Sequence, residues 1–133
     1  MEGSLTPRKL FYLWAPVVFY AAFIFFMSSF SLQFLLFQKV EKNHGDKLVH
    51  VVEYGVLGLL LARALWRHNI FRRSARRVFL AALVLGVFYA ASDEFHQRFV
   101  PYRDCSAADL AADAAGVMFG TVIWIRKQTK LYA

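Results

Sequence analysis

The chain has 133 residues, enough for one domain with a small core. Apolar residues make up 59% of it, whereas a soluble domain averages roughly 45–50%, so the composition favours a membrane protein. The net charge of +7 does not indicate a nucleic-acid partner, because the basic residues stand between apolar runs rather than among aromatic residues on a polar face. A single cysteine, Cys105, excludes an internal disulfide and a metal site built from several cysteines.

Four apolar runs follow one another, each long enough for a transmembrane helix. We predict helices roughly over residues 10–30, 48–66, 78–97 and 107–125. The first run has no charge and no cleavage site after it, which favours a retained helix over a signal peptide. Pro101 ends the third helix. The predicted fold is therefore all-α: one membrane domain over residues 1–133, a bundle of four transmembrane helices.

The Lys and Arg residues predict the orientation of the bundle. Eleven of the sixteen flank one side of the spans: Arg8, Lys9, Arg63, Arg67, Arg72, Arg73, Arg76, Arg77, Arg126, Lys127 and Lys130. Short cytoplasmic loops are the ones enriched in Lys and Arg. Both termini and the Arg-rich loop are therefore predicted to be cytoplasmic.

The acidic residues segregate in the opposite direction. Only Glu2 is on the predicted inner side. The other eight are Glu41, Asp46, Glu53, Asp93, Glu94, Asp104, Asp109 and Asp113. The orientation rule says little about acids, so this segregation is separate information, and it predicts that the chemistry faces outward.

Helical spacing indicates which polar groups converge. The stripes are Asp46, His50 and Glu53 on the second helix; Tyr89, Asp93 and His96, with Gln97 beside them, on the third; and Asp109, Asp113, Gly116 and Gly120 on the fourth. All three lie near the predicted outer boundary, and the glycines permit close approach of the fourth helix. With Ser28 and Ser29 from the first helix, they predict a polar pocket under the outer headgroups.

Ionisable groups at this depth favour a functional site. Glu53 and Asp113 are the strongest single candidates, because a carboxylate inside an apolar run must pair or hold a proton. The alternative is that the cluster only satisfies itself, with Lys47 and Arg103 paired to carboxylates. The candidate catalytic residues are Glu53, Glu94 and His50. The candidate ligands for a divalent metal, the one cofactor considered, are His50, His96, Asp93 and Glu94, although no local metal-binding spacing is present.

Two segments carry a family resemblance. DKLVHVVEYGVLGLLL and SDEFHQRFVPYRDCSAADLAADAAGVMFG resemble the VanZ-like family of small bacterial membrane proteins. The matching positions are Asp46, Lys47 and His50, then Asp93, Glu94 and Gln97, then Arg103, Asp109, Gly116 and Gly120, with Ser28 and Ser29 closing the first helix. One departure is Asp113, which lies where that family usually has Asn. The resemblance implies a protein of the bacterial cytoplasmic membrane and, through the founding member, a link to teicoplanin resistance.

The leading expectation is a protein that recognises or handles an envelope lipid of the polyprenyl-phosphate type. Lys47 and Arg103 would hold the phosphate. The whole expected binding set is Asp46, Lys47, His50, Glu53, Asp93, Glu94, Gln97, Arg103, Asp109 and Asp113. Two alternatives stay open: a membrane-embedded hydrolase or transferase acting on a lipid headgroup, and a structural assembly partner. A homo-oligomer is also left open, and no nucleic-acid partner is expected.

Overall fold

A computed structural model describes residues 6–29, 45–68, 70–71, 74–101 and 106–131, with the side chains of residues 45 and 46 outside that description. Its four helices are α1 (Pro7–Ser29), α2 (Gly45–Trp66), α3 (Ala75–Gln97) and α4 (Ala107–Leu131). Each is long and apolar enough to cross a membrane, and the described part of the chain contains no strand. The prediction of an all-α bundle with four membrane-spanning helices is confirmed.

Capping residues explain why three helices begin where they do. Pro7 opens α1, since its missing N–H would have no partner in the first turn. The side-chain oxygens of Thr6, Ser74 and Ser106 accept backbone N–H groups of α1, α3 and α4. Hydropathy alone places the starts of α1 and α3 three residues later, because it does not register polar residues in a first turn.

Helices α2 and α4 run in the same direction and form the closest contact in the bundle. A Cβ added to Gly120 would clash with the carbonyl oxygen of Gly55. A Cβ on Gly116 would lie 2.5 Å from the carbonyl oxygen of Val51. Small residues allow two helix backbones to approach this closely inside a membrane. The predicted inward packing of the glycine stripe is therefore observed.

Helix α1 lies at the edge of the bundle, and most of its aromatic surface is exposed. Phe19 is 77% exposed, as expected for a side chain that faces lipid. The Tyr20 hydroxyl donates to the carbonyl oxygen of Glu53 on α2 at 3.2 Å. The Tyr89 hydroxyl on α3 donates to the carbonyl oxygen of Ala21 at 2.5 Å. These two tyrosines hold α1 against its neighbours at mid-depth.

Candidate functional site

Nearly all buried polar side chains of the described residues lie at one end of the bundle. This is the end where α2 and α4 begin and where α1 and α3 finish. The side chains are Ser28, His50, Asp93, Glu94, Gln97 and Asp113; one further buried polar residue, Thr121, lies deeper on α4. The convergence of polar groups from all four helices is the arrangement that their spacing predicts.

Asp93 is the centre of one hydrogen-bonded group. Its Oδ1 accepts from the Ser28 hydroxyl at 2.6 Å, and its Oδ2 accepts from the Gln97 amide at 2.9 Å and the Tyr54 hydroxyl at 3.3 Å. All four side chains are buried. Three neutral donors thus satisfy this carboxylate, and they join α1, α2 and α3.

A second group, which we call the histidine–acid cluster, consists of His50, Glu94 and Asp113. Nδ1 of His50 lies 2.9 Å from Oδ1 of Asp113, and the side chains are only 7% and 1% exposed. Each of the three residues offers a nitrogen or oxygen atom within 4.8 Å of the other two, and all three are buried. The cluster joins α2, α3 and α4.

Glu94 also contacts the beginning of α4. Its Oε2 accepts the backbone N–H of Ser106 at 3.2 Å. Ser106 is the residue before α4, where unpaired N–H groups and the helix dipole favour negative charge. The carboxylate is therefore placed where the backbone offsets part of the cost of its burial.

One helical turn nearer the helix starts, Lys47 and Asp109 form an ion pair. Their Nζ and Oδ1 atoms are 3.0 Å apart, and the side chains are 46% and 13% exposed. The pair repeats the α2–α4 contact of His50 with Asp113, but at the rim of the site. A positively charged, partly exposed side chain therefore lies beside the buried groups, nearer this end of the bundle.

The remaining predicted site residues occupy other positions. His96 lies 3.0 Å from the Ser29 hydroxyl, and its ring lies against Phe25 with centroids 4.3 Å apart. Glu53 is half-buried on α2, one turn beyond His50. The predicted metal-ligand set is therefore divided: His50 and Glu94 come together with Asp113, whereas His96 and Asp93 have the partners given above. The Asp46 side chain and Arg103 lie outside the described residues.

Tyr54 is a site residue that the sequence analysis missed. It follows His50 by four residues, so it lies on the same face of α2 and is 1% exposed. Aromatic residues are frequent in this chain, so the presence of a tyrosine does not by itself indicate a site residue. The four-residue spacing between His50 and Tyr54 is the pattern that would have indicated Tyr54.

Comparison with protein families gives a match over nearly the whole chain. The family described as VanZ/LLP1 matches residues 6–128, nearly the whole chain. The chain belongs to the VanZ/LLP1 family. The resemblance carried by the Asp-Lys-x-x-His and Asp-Glu-x-x-Gln segments is thereby confirmed. No curated protein and no solved structure matches this VanZ/LLP1 protein significantly.

Family membership and the four spans together make this a multi-pass membrane protein. The match includes all of α1, α2 and α3 and α4 up to residue 128, and it includes both the Asp93 group and the histidine–acid cluster. The candidate site is therefore part of the family domain.

Proposed function

We propose that this VanZ/LLP1 protein binds an envelope lipid with a phosphate-bearing headgroup, of the polyprenyl-phosphate type, at the outer face of the bacterial cytoplasmic membrane. Its effect on the cell would be tolerance of glycopeptides such as teicoplanin. The observation that carries the proposal is the placement of Lys47, 46% exposed, at the rim of a cluster of buried polar side chains.

Local groups at the rim would contact an anionic headgroup. The backbone N–H groups in the first turns of α2 and α4 lie at this end, and Lys47 adds a positively charged side chain beside them. Helices α1 and α3 end here, so the four helix dipoles oppose one another and the contact would depend on these local groups. Arg103, which precedes α4 in the sequence, is the sequence-based candidate for a bidentate contact with phosphate. Apolar surface on the helices is available for the hydrocarbon chain, including Phe95, which is 59% exposed near this end of α3.

The proposed orientation follows from the distribution of Lys and Arg. Arg76 and Arg77, at the end of the bundle opposite the site, belong to the basic side and are exposed. Cys105 is the single cysteine and lies in the sequence between α3 and α4. A membrane-impermeant maleimide should label Cys105 in intact spheroplasts as fully as in lysed ones. Labelling after lysis only would contradict the outward orientation.

Native mass spectrometry of the protein, released gently from its own membranes, tests lipid binding. We expect a retained polyprenyl phosphate or other phosphate-bearing lipid. Lys47→Ala and Arg103→Ala should each lower its retention at least about tenfold, since one charge-assisted hydrogen bond contributes about 1.5–3 kcal/mol. Lys130→Ala is the matched control, an exposed lysine near the other end of α4. Equal loss in the control, or wild-type protein without lipid, would contradict the proposal.

A second candidate function is hydrolysis or transfer at a lipid headgroup. The histidine–acid cluster favours it, because a buried imidazole within 4.8 Å of two carboxylates is a common arrangement for general acid–base chemistry. Glu94 or Glu53 would be the base. Turnover of a labelled headgroup by the purified protein, lost in Glu94→Gln, distinguishes this enzyme from a lipid-binding protein.

A further inference from the structure

The histidine–acid cluster has the composition of a metal site. One imidazole and two carboxylates converge from three helices, and each offers an atom within 4.8 Å of the other two. Ligand atoms on one zinc ion are separated by about 3.3–3.6 Å, because each bond is about 2.0–2.2 Å long. Side-chain movements of about an ångström would therefore close His50, Glu94 and Asp113 around an ion.

The two acids of the cluster suit a cation. Glu94 and Asp113 are 3% and 1% exposed, and burying two carboxylates side by side is costly unless positive charge accompanies them. A divalent cation supplies two charges at once. Asp93 is different, because neutral hydroxyl and amide groups satisfy it.

The donor atoms define the class of ion. A nitrogen ligand with two carboxylate oxygens suits zinc, manganese or ferrous iron, whereas magnesium and calcium prefer oxygen ligands alone. Three protein ligands leave a coordination position open for water or a substrate oxygen. His50 and Asp113 are already hydrogen-bonded through Nδ1 and Oδ1 at 2.9 Å, so an ion bound to these two atoms would displace the shared proton, which leaves to solvent.

We infer that His50, Glu94 and Asp113 bind one divalent transition-metal cation about one and a half helical turns inside the end of the bundle where α2 and α4 begin. This inference goes beyond lipid binding, since the site needs no lipid to form. The cluster lies one helical turn below Lys47, so an ion held there would lie beneath a headgroup bound at the rim.

The test is the metal content of the purified protein in detergent, after chelation and reloading with zinc or manganese. We expect one ion per chain in the wild type. Asp113→Asn and Glu94→Gln preserve side-chain shape and should weaken binding by more than about 100-fold, because even the loss of a ligand's supporting group costs roughly 10–100-fold. His96→Ala and His68→Ala are matched controls, histidines at the same end and at the opposite end of the bundle, and should bind normally.

Wild-type protein that takes up neither ion stoichiometrically would overturn the inference. Equal loss of metal in the controls and the cluster variants would overturn it as well. If the cluster variants do not fold, X-ray absorption spectroscopy of the metal-loaded wild type identifies the ligands instead. One imidazole with oxygen ligands would support the site, whereas two imidazoles or a thiolate would contradict it. Lipid retention measured on the same samples shows whether the two proposals fail separately.

Discussion

Adjacent residues of α3, Asp93 and Glu94, illustrate two uses of a buried carboxylate. Asp93 faces α1 and α2 and accepts from Ser28, Tyr54 and Gln97. Glu94 faces α4 and forms a cluster with His50 and Asp113. Burial is nearly equal, 4% and 3%, so depth alone does not separate them.

What separates the two carboxylates is the chemistry of their neighbours. Asp93 is surrounded by hydroxyl and amide donors that fix three helices relative to one another, which is a structural role. Glu94 lies beside a second acid and an imidazole, a combination that binds cations or moves protons. We therefore expect changes at Asp93 to affect stability first, and changes at the cluster to affect binding first.

The largest expected effect breaks the α2–α4 contact that holds the cluster. Gly120→Ala places a Cβ against the Gly55 carbonyl, and backbone atoms cannot move aside without separating the helices. We expect a loss of about 3 kcal/mol or more in the free energy of unfolding, at or above the upper range for overpacked cores. Reversible unfolding in mixed micelles measures it.

The matched control for this change is Gly55→Ala on the facing helix. Its Cβ would lie 3.6 Å from the Gly116 carbonyl oxygen, an ordinary contact. The expected change is within about 1 kcal/mol, since alanine also favours the helix by up to about that amount. Similar losses for the two variants would show that close approach at Gly120 does not hold the bundle.

An intermediate effect is expected for Asp93→Ala, which sharpens the comparison with Asp113→Asn. Removing the carboxylate leaves three buried donors without their acceptor. Hydrogen bonds inside membranes average about 0.6 kcal/mol each, so we expect the free energy of unfolding to fall by about 2 kcal/mol or more. Metal content should stay at the wild-type value in the folded fraction. Loss of metal together with unchanged stability would reverse the roles assigned to the two groups.

The smallest effect is expected for Tyr54→Phe, which removes one donor to Asp93 and leaves the ring in place. This hydrogen bond is the longest of the three to Asp93, at 3.3 Å, so we expect the free energy of unfolding to fall by about 0.6 kcal/mol. In the Asp93→Ala background the same change should cost less, because the acceptor is already gone. An undiminished cost there would show that Tyr54 acts through its packing instead.

The sequence by itself determined the number of helices, the end of the bundle where polar groups gather, and the inward stripe of Asp113, Gly116 and Gly120. Apolar runs of membrane-spanning length specify helices whatever their neighbours are. Spacing of three and four residues specifies which side chains share a face. The helix starts were less well determined, because they depend on caps such as Ser74.

Only the tertiary structure decided which helix each face meets. Successive helix residues differ by about 100° in direction, so Asp93 and Glu94 reach different neighbours, and no local pattern indicates which neighbour is which. The close, parallel contact of α2 with α4 brings His50 to Asp113, 63 positions away in the chain. The same packing places Asp93 and His96 outside the histidine–acid cluster, against Ser28 and Ser29 of α1. Partner choice in this bundle is therefore a property of helix packing, which spacing along one helix does not encode.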